Sequence, residues 1–210
     1  MPELFELPEK NLFSAYGVTL LESKHKTVKK LEKHYQPSIH GHKTWSSSFL
    51  LMDYLMHTRL LKQRQRVLEL GCGWGPAVIF CAAHANCKVT GLDRDEEVFP
   101  FLEVQAALND VEVSTIKKGF EQVNKPLLKN YDLVFGTDVC FWDELVLMHF
   151  KLIKRALDAG VKNIIYTDPG RSTFYELAEK CKTKFNVEYL DWYSTEPDYF
   201  EGYVLHIKNS

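Results

Sequence analysis

The sequence predicts an α/β fold, a mainly parallel sheet with helices on both faces. Three observations predict it. Short apolar strands alternate with helical patterns from residue 46 to 184. A glycine-rich turn leaves the first of these strands and opens a helix at Pro76. The last two strands, 187–192 and 202–208, have no helix between them. Strand–helix alternation implies right-handed crossovers and parallel pairing, and the helix-less pair implies an antiparallel edge.

The elements follow in order. Residues 46–61 open on three serines and carry Phe49, Leu50, Leu51, Leu55, Met56 and Leu60 at helical spacing, which predicts a helix. Arg66–Leu70 is a short apolar strand, and Pro76 suits the first position of the helix that continues to Ala85. Lys88–Leu92 is the second strand, 95–109 a helix and 111–116 the third strand. Asp132–Thr137 is the fourth strand. The apolar residues of 143–159 form a helix that stops at Gly160. Asn163–Thr167 is the fifth strand and 172–184 another helix, before the final pair.

Composition bounds the function. The chain has 210 residues, 45% hydrophobic and 26% charged, which is ordinary for a globular protein and leaves little length for a second domain. Its longest apolar run, Ala77 to Ala83, is too short to span a membrane. A net charge of −2 gives no global pull toward nucleic acid, so no nucleic-acid partner is expected. Residues 1–6 lack the pattern of a signal peptide, and five irregularly spaced cysteines read as reduced thiols. A cytoplasmic monomer is the expectation.

The most informative segment is Glu69-Leu70-Gly71-Cys72-Gly73-Trp74-Gly75-Pro76. Glycines there allow a tight turn and a close approach of ligand to backbone, and the helix that follows offers free N–H groups. Asp93 closes the next strand, where an acid can take both hydroxyls of a ribose. A dinucleotide site asks for G-x-G-x-x-G. The spacing here is E-x-G-x-G-x-G.

That pattern resembles motif I of the class I, seven-strand S-adenosylmethionine-dependent methyltransferases, over roughly residues 45–208. The resemblance implies a Rossmann-like three-layer sandwich with a seven-stranded sheet whose last strand is antiparallel. It implies S-adenosyl-L-methionine as cofactor and S-adenosyl-L-homocysteine as product. Three further segments are similar to the small protein lysine methyltransferases and their nicotinamide N-methyltransferase-like relatives. They are Thr44-Trp45-Ser46 before motif I, Asp138-Val139-Cys140-Phe141 after strand four, and Thr167-Asp168-Pro169-Gly170-Arg171 after strand five. Phe141 stands where a tyrosine is more common. The loop after strand three, where relatives often carry an acid near the adenine, reads Lys117-Lys118-Gly119-Phe120-Glu121, which leaves the adenine to backbone groups and Phe120 or to Glu121 shifted along.

The resemblance divides the chain into a methyltransferase domain, 45–210, and an extension, 1–44, expected to cover the substrate side. It assigns cofactor contacts to Trp45, Glu69, Gly71, Cys72, Gly73, Asp93, Arg94, Phe120 and Asp138. Asp138 and Phe141 are the expected catalytic pair: the carboxylate orients an amine and routes its proton away, and aromatic rings suit sulfonium and ammonium groups. The implied activity is N-methylation of a protein lysine; the alternatives are a small amine or other small molecule as acceptor, and a non-catalytic cofactor-binding partner protein.

Two features stand apart from the resemblance. No Lys or Arg occurs between Phe185 and Ile207, where five acids and seven aromatics fall. The loop Ser194–Glu201 is expected on the cofactor side, an acidic and aromatic lip for a cationic substrate. The lysines of 24–33 read as a solvated helix face. His40 and His42 have no acid or cysteine at spacing that would complete a metal site, so no metal is expected; they sit close enough to Trp45 to line a substrate pocket.

Overall fold

The computed structural model describes residues 10–38, 41 and 43–209. A hairpin of β1 (Leu12–Ala15) and β2 (Val18–Leu21) comes first, then a short helix α1 (Lys26–Leu31). The main body runs α2 (Ser47–Thr58), β3 (Arg66–Leu70), α3 (Pro76–Ala85), β4 (Lys88–Asp93), α4 (Phe99–Leu108), β5 (Ser114–Lys117), α5 (Lys125–Leu128), β6 (Leu133–Thr137), α6 (Asp143–Asp158), β7 (Asn163–Asp168), α7 (Ser172–Lys182), β8 (Asn186–Ser194) and β9 (Phe200–Lys208).

Seven strands form one sheet in the order β5-β4-β3-β6-β7-β9-β8. β3 to β7 pair in parallel, while β9 runs antiparallel to both β7 and β8. This is the Rossmann-like sandwich expected. The central strands β3 and β6 are buried along nearly their whole length, because helices cover both faces. One apolar layer joins α2 and α3 to the sheet through Leu51, Leu55, Ile79 and Phe80. The other joins α6 and α7 through Leu152, Ile153, Phe174 and Leu177.

Several boundaries differ from the sequence reading, each for a local reason. The third strand begins at Ser114 rather than 111. The Val111 amide still closes the end of α4 on the Ala106 carbonyl, and Val111 and Val113 pack against the core instead of entering the ladder. The helix expected over 95–109 is split: Asp95 caps a 3₁₀ turn, Glu96–Val98, and Pro100 sits at the start of α4. α2 stops at Thr58, because Arg59 takes a left-handed conformation.

The hairpin β1–β2 was not foreseen. It lies against α3 and α4, tied by hydrogen bonds between Leu21 and Gln105 and between Thr19 and Asn109. It touches α2 through Phe13 against Phe49 and Tyr16 against Asp53, while the sheet and α3 bury Ser47–Leu55 from the other sides.

Candidate active site

The carboxyl ends of β3, β4 and β6 face an open cavity of about 170 Å³. The loop after β3 builds its floor. Gly73 and Gly75 both hold left-handed backbone, with φ of +50° and +68°. They differ in surroundings. A Cβ on Gly75 would lie 1.9 Å from Leu102 Cδ1, whereas one on Gly73 would meet nothing within 4 Å. Gly75 is thus a packing glycine, and Gly73 keeps the cavity open to a ligand.

Two carboxylates brace this loop. Asp93 Oδ2 accepts the Gly73 amide at 3.1 Å, and Oδ1 accepts the Asp95 amide at 3.0 Å. Burial raises the Asp93 carboxyl above the usual range. Glu69 is fully buried, and its Oε2 accepts the Val78 amide at 3.3 Å, capping α3 from beneath. Burial pushes its carboxyl well up. Burial raises the Cys72 thiol too, so that residue offers a small apolar wall rather than a thiolate.

Trp74 explains how the segment before α2 comes to the cavity. Its ring stacks on Phe101 at 5.3 Å, and its indole N–H donates to the Gly41 carbonyl at 3.0 Å. Asp95 accepts the Ser38 amide and hydroxyl. Ser38, Gly41, Lys43 and Thr44 line the cavity as a result. Lys43 Nζ rests 4.2 Å from the Trp45 ring centre. His40 and His42 lie outside the described residues.

Asp138 stands one residue past β6 in a left-handed conformation, φ +62°, an uncommon backbone for a residue with a side chain. Its amide donates to the Thr167 carbonyl, and Ser47 Oγ donates to Oδ2 at 3.2 Å. Arg171 pairs with the other oxygen. The same guanidinium reaches Asp168 Oδ2 at 2.8 Å. Asp168 Oδ1 accepts the Gly170 and Arg171 amides, and burial pushes this carboxyl up to about 6. The Asp-Pro-Gly-Arg turn is therefore a clamp that sends Arg171 back to the cavity wall.

His149 on α6 supports the same wall from inside. A carbonyl can only accept, so Nε2–H donates to the Val139 oxygen at 3.0 Å and Nδ1 takes the Tyr166 hydroxyl at 3.2 Å. Burial lowers the imidazole to about 4, so it stays neutral at physiological pH. Phe120 packs on His149 at 4.6 Å, and Phe141 meets Trp142 edge-on at 4.7 Å.

Of the residues singled out in the sequence, Trp45, Gly71, Cys72, Gly73, Asp93, Arg94, Phe120, Asp138 and Phe141 all line this one cavity. Glu69 does not; it sits behind the loop. Arg94 forms a rim with Glu121 at 3.4 Å. Ser47 and His149 carry no sequence signal as site residues, and Arg171 enters the sequence reading only as part of the Asp-Pro-Gly-Arg segment, with no role of its own. The serine triplet read only as a cap, and nothing in sequence spacing tells that Arg171 and His149 reach Asp138 and Val139.

The loop between β8 and β9 does lie at the carboxyl end of the sheet, since Asp168 pairs with Tyr203. No described residue of 185–207 lines the cavity. Glu196 is held by the Tyr16 amide, and the Tyr16 hydroxyl donates to buried Asp53. Among the described residues, no group of three or more His, Cys, Asp or Glu side chains is placed to hold a metal. No described helix is long and apolar enough to cross a membrane.

Comparison with known proteins agrees with this geometry. Residues 67–160 match the family model of a methyltransferase domain. The histidine protein methyltransferase 1 homolog of Dictyostelium discoideum is 28% identical over 127 residues, 58% of this chain and 41% of that one. The ribosomal protein L11 methyltransferase of Aquifex aeolicus is 27% identical over 136 residues, 65% of this chain and 53% of that one. The chain thus spans about half the length of the curated relatives it matches. The crystal structure of an S-adenosylmethionine-dependent methyltransferase from Agrobacterium tumefaciens superposes with a TM-score of 0.68 at 16% identity, covering 98% of this chain and 72% of that one. Residues 67–160 thus match a methyltransferase domain, and the chain has the fold of the class I S-adenosylmethionine-dependent methyltransferases.

Proposed function

We propose that this chain transfers the methyl group of S-adenosylmethionine to a lysine side chain of a protein. The observation that carries the reading is Asp138, held in left-handed backbone at the cavity wall with Phe141 and Trp45 lining the same space. The cavity residues fit the cofactor. Asp93 offers its carboxylate to a ribose beside the open face of Gly73, and Phe120 with the Arg94–Glu121 rim bounds the adenine end. When bound, the cofactor supplies an activated methyl on a sulfonium.

The chain's own residues position the acceptor. Aromatic rings stabilise cationic groups on both sides of the transfer. Asp138 accepts a hydrogen bond from the incoming ammonium and orients it; one proton leaves toward solvent, exposing the lone pair. That lone pair would take the methyl supplied by the bound cofactor, whose thioether would be the leaving group. Arg171 and Ser47 fix the Asp138 carboxylate so that orientation is prepaid. Ser38, Gly41, Lys43 and Thr44, from the extension 1–44, cover the acceptor side in this reading.

A histidine imidazole is the second acceptor. Arg171 already faces Asp138, which favours a nitrogen that arrives uncharged, and one relative carries that activity in its name. The experiment uses tritiated S-adenosylmethionine with lysate of the source cell. Label in the protein fraction, released on hydrolysis as methyllysine, is expected. Methylhistidine selects the second reading, and label confined to small molecules refutes a protein acceptor.

A further inference from the structure

The sheet ends on β8, a nine-residue edge strand. Alternation puts Tyr189, Asp191 and Tyr193 on one face of it, opposite Leu205, Tyr203 and Glu201 of β9. Tyr189 and Tyr203 stack at 5.4 Å, and exposed Tyr193 and Tyr199 lie 5.7 Å apart. Tyr175 of α7 joins the row, 6.4 Å from Tyr189, with 56% of its surface exposed. Asp191, Asp198 and Glu201 are exposed among these rings, and none has a basic partner among the described residues. A soluble protein usually guards such an edge with lysine. Here β8 itself carries no lysine; Lys208 of β9 pairs with Glu188 near one end, and Lys182 of α7 sits over Tyr189.

Resting on the protein-acceptor reading above, we propose that this tyrosine and carboxylate face docks a basic, extended segment of the methyl-accepting protein. The chain itself shows the contact: Lys182 Nζ sits 4.7 Å from the Tyr189 ring centre. The face is continuous with the cavity. Gly170 lies directly on the Tyr203 ring, and Arg171 beside it reaches Asp138. Two to three strand spacings, about 10–14 Å, separate β6 from β9 and β8. An extended segment crosses that span in about three to four residues. Basic residues of the partner therefore fall about three to four positions from the methylated one.

The test uses the full chain with S-adenosylhomocysteine and two fluorescent twelve-residue peptides, one alternating lysine with glycine, the other glutamate with glycine. Wild type should bind the lysine peptide and not the glutamate peptide. D191N/D198N/E201Q should weaken that binding about tenfold, and Tyr193→Ser with Tyr199→Ser severalfold, with S-adenosylhomocysteine affinity unchanged. Equal affinity in wild type and both variants, or no preference between the peptides, overturns the proposal. A wild-type dimer that the triple variant abolishes would assign the face to a second copy instead. Methyl incorporation into lysate protein separates the two readings. Labelling by wild type and triple variant alike leaves the enzyme reading standing and removes the docking face. No protein labelling by wild type removes the acceptor reading, while the peptide titration still judges the face.

Discussion

The two inner glycines of the loop should fail in opposite ways when given a methyl group. Each holds a left-handed backbone, which costs an L-residue about 1–2 kcal/mol. Gly75→Ala adds a clash with Leu102, a side chain with no exposed surface, and overpacking of that kind costs about 1–3 kcal/mol. The sum is about 2–5 kcal/mol. At about 2–4 °C per kcal/mol for a chain of this size, the melting temperature should fall by about 4–20 °C. Gly73→Ala carries only the backbone cost, a fall of about 2–8 °C, but its methyl projects into the cavity. It should therefore weaken S-adenosylhomocysteine by at least tenfold, a loss of about 1.4 kcal/mol. Thermal melting and calorimetric titration read the two effects separately. If Gly73→Ala proves the less stable variant, or binds S-adenosylhomocysteine as wild type does, the division of roles is wrong. Leu102→Ala combined with Gly75→Ala should cost less than the two single losses added, because they share one clash.

Four further outcomes are expected. Asp93→Ala should weaken S-adenosylhomocysteine about tenfold or more in calorimetry, since a ribose contact and the brace on Gly73 are lost together; unchanged affinity contradicts the ribose assignment. His149 is lowered to about 4 in the folded chain, so the unfolded chain binds more protons as pH falls below about 6.5, and stability is lost as pH falls toward 4. Urea melts at pH 7 and 5 should show wild type losing about 2 kcal/mol more than His149→Gln. Asp168, raised to about 6, acts in the opposite direction but equally in both proteins; parallel slopes would refute the buried neutral imidazole. Asp138→Asn should cut turnover by about 10²–10⁴ with S-adenosylhomocysteine affinity nearly unchanged. Arg171→Ala should lower kcat more than it raises KM, and Arg171→Lys should recover part of it; a pure KM effect would place Arg171 in substrate binding alone.

Legibility followed periodicity. The crossover units were readable because buried parallel strands such as Leu133–Thr137 are continuous apolar runs next to helical patterns. The β1–β2 hairpin escaped because each strand is four residues long and its turn, Tyr16-Gly17, is not one of the common turn pairs. The cavity was readable where one loop carries several groups, as in Gly71–Gly75 and Asp93. It was unreadable where a side chain crosses between loops. Arg171 reaches a residue 33 positions away, and His149 holds a carbonyl on another segment. Such contacts depend on which strands lie side by side, and sequence spacing carries no trace of that. The Ser47–Asp138 bond spans 91 positions and is of the same kind.

The strand order has a consequence for synthesis. β9 is made after the other six strands of this sheet, yet it lies inside it, between β7 and β8. Until Phe200–Lys208 has emerged, the open side of β7 is unpaired and β8 has nothing to join. A ribosome-bound chain therefore carries two unpaired strand edges without their common partner. Whatever precedes or follows these residues, the sheet closes only after residue 208, and a break anywhere before β9 leaves an unfinished fold rather than a shortened one. Mutations that slow release or strip chaperones should thus harm this chain earlier, through yield, than they harm its finished cavity.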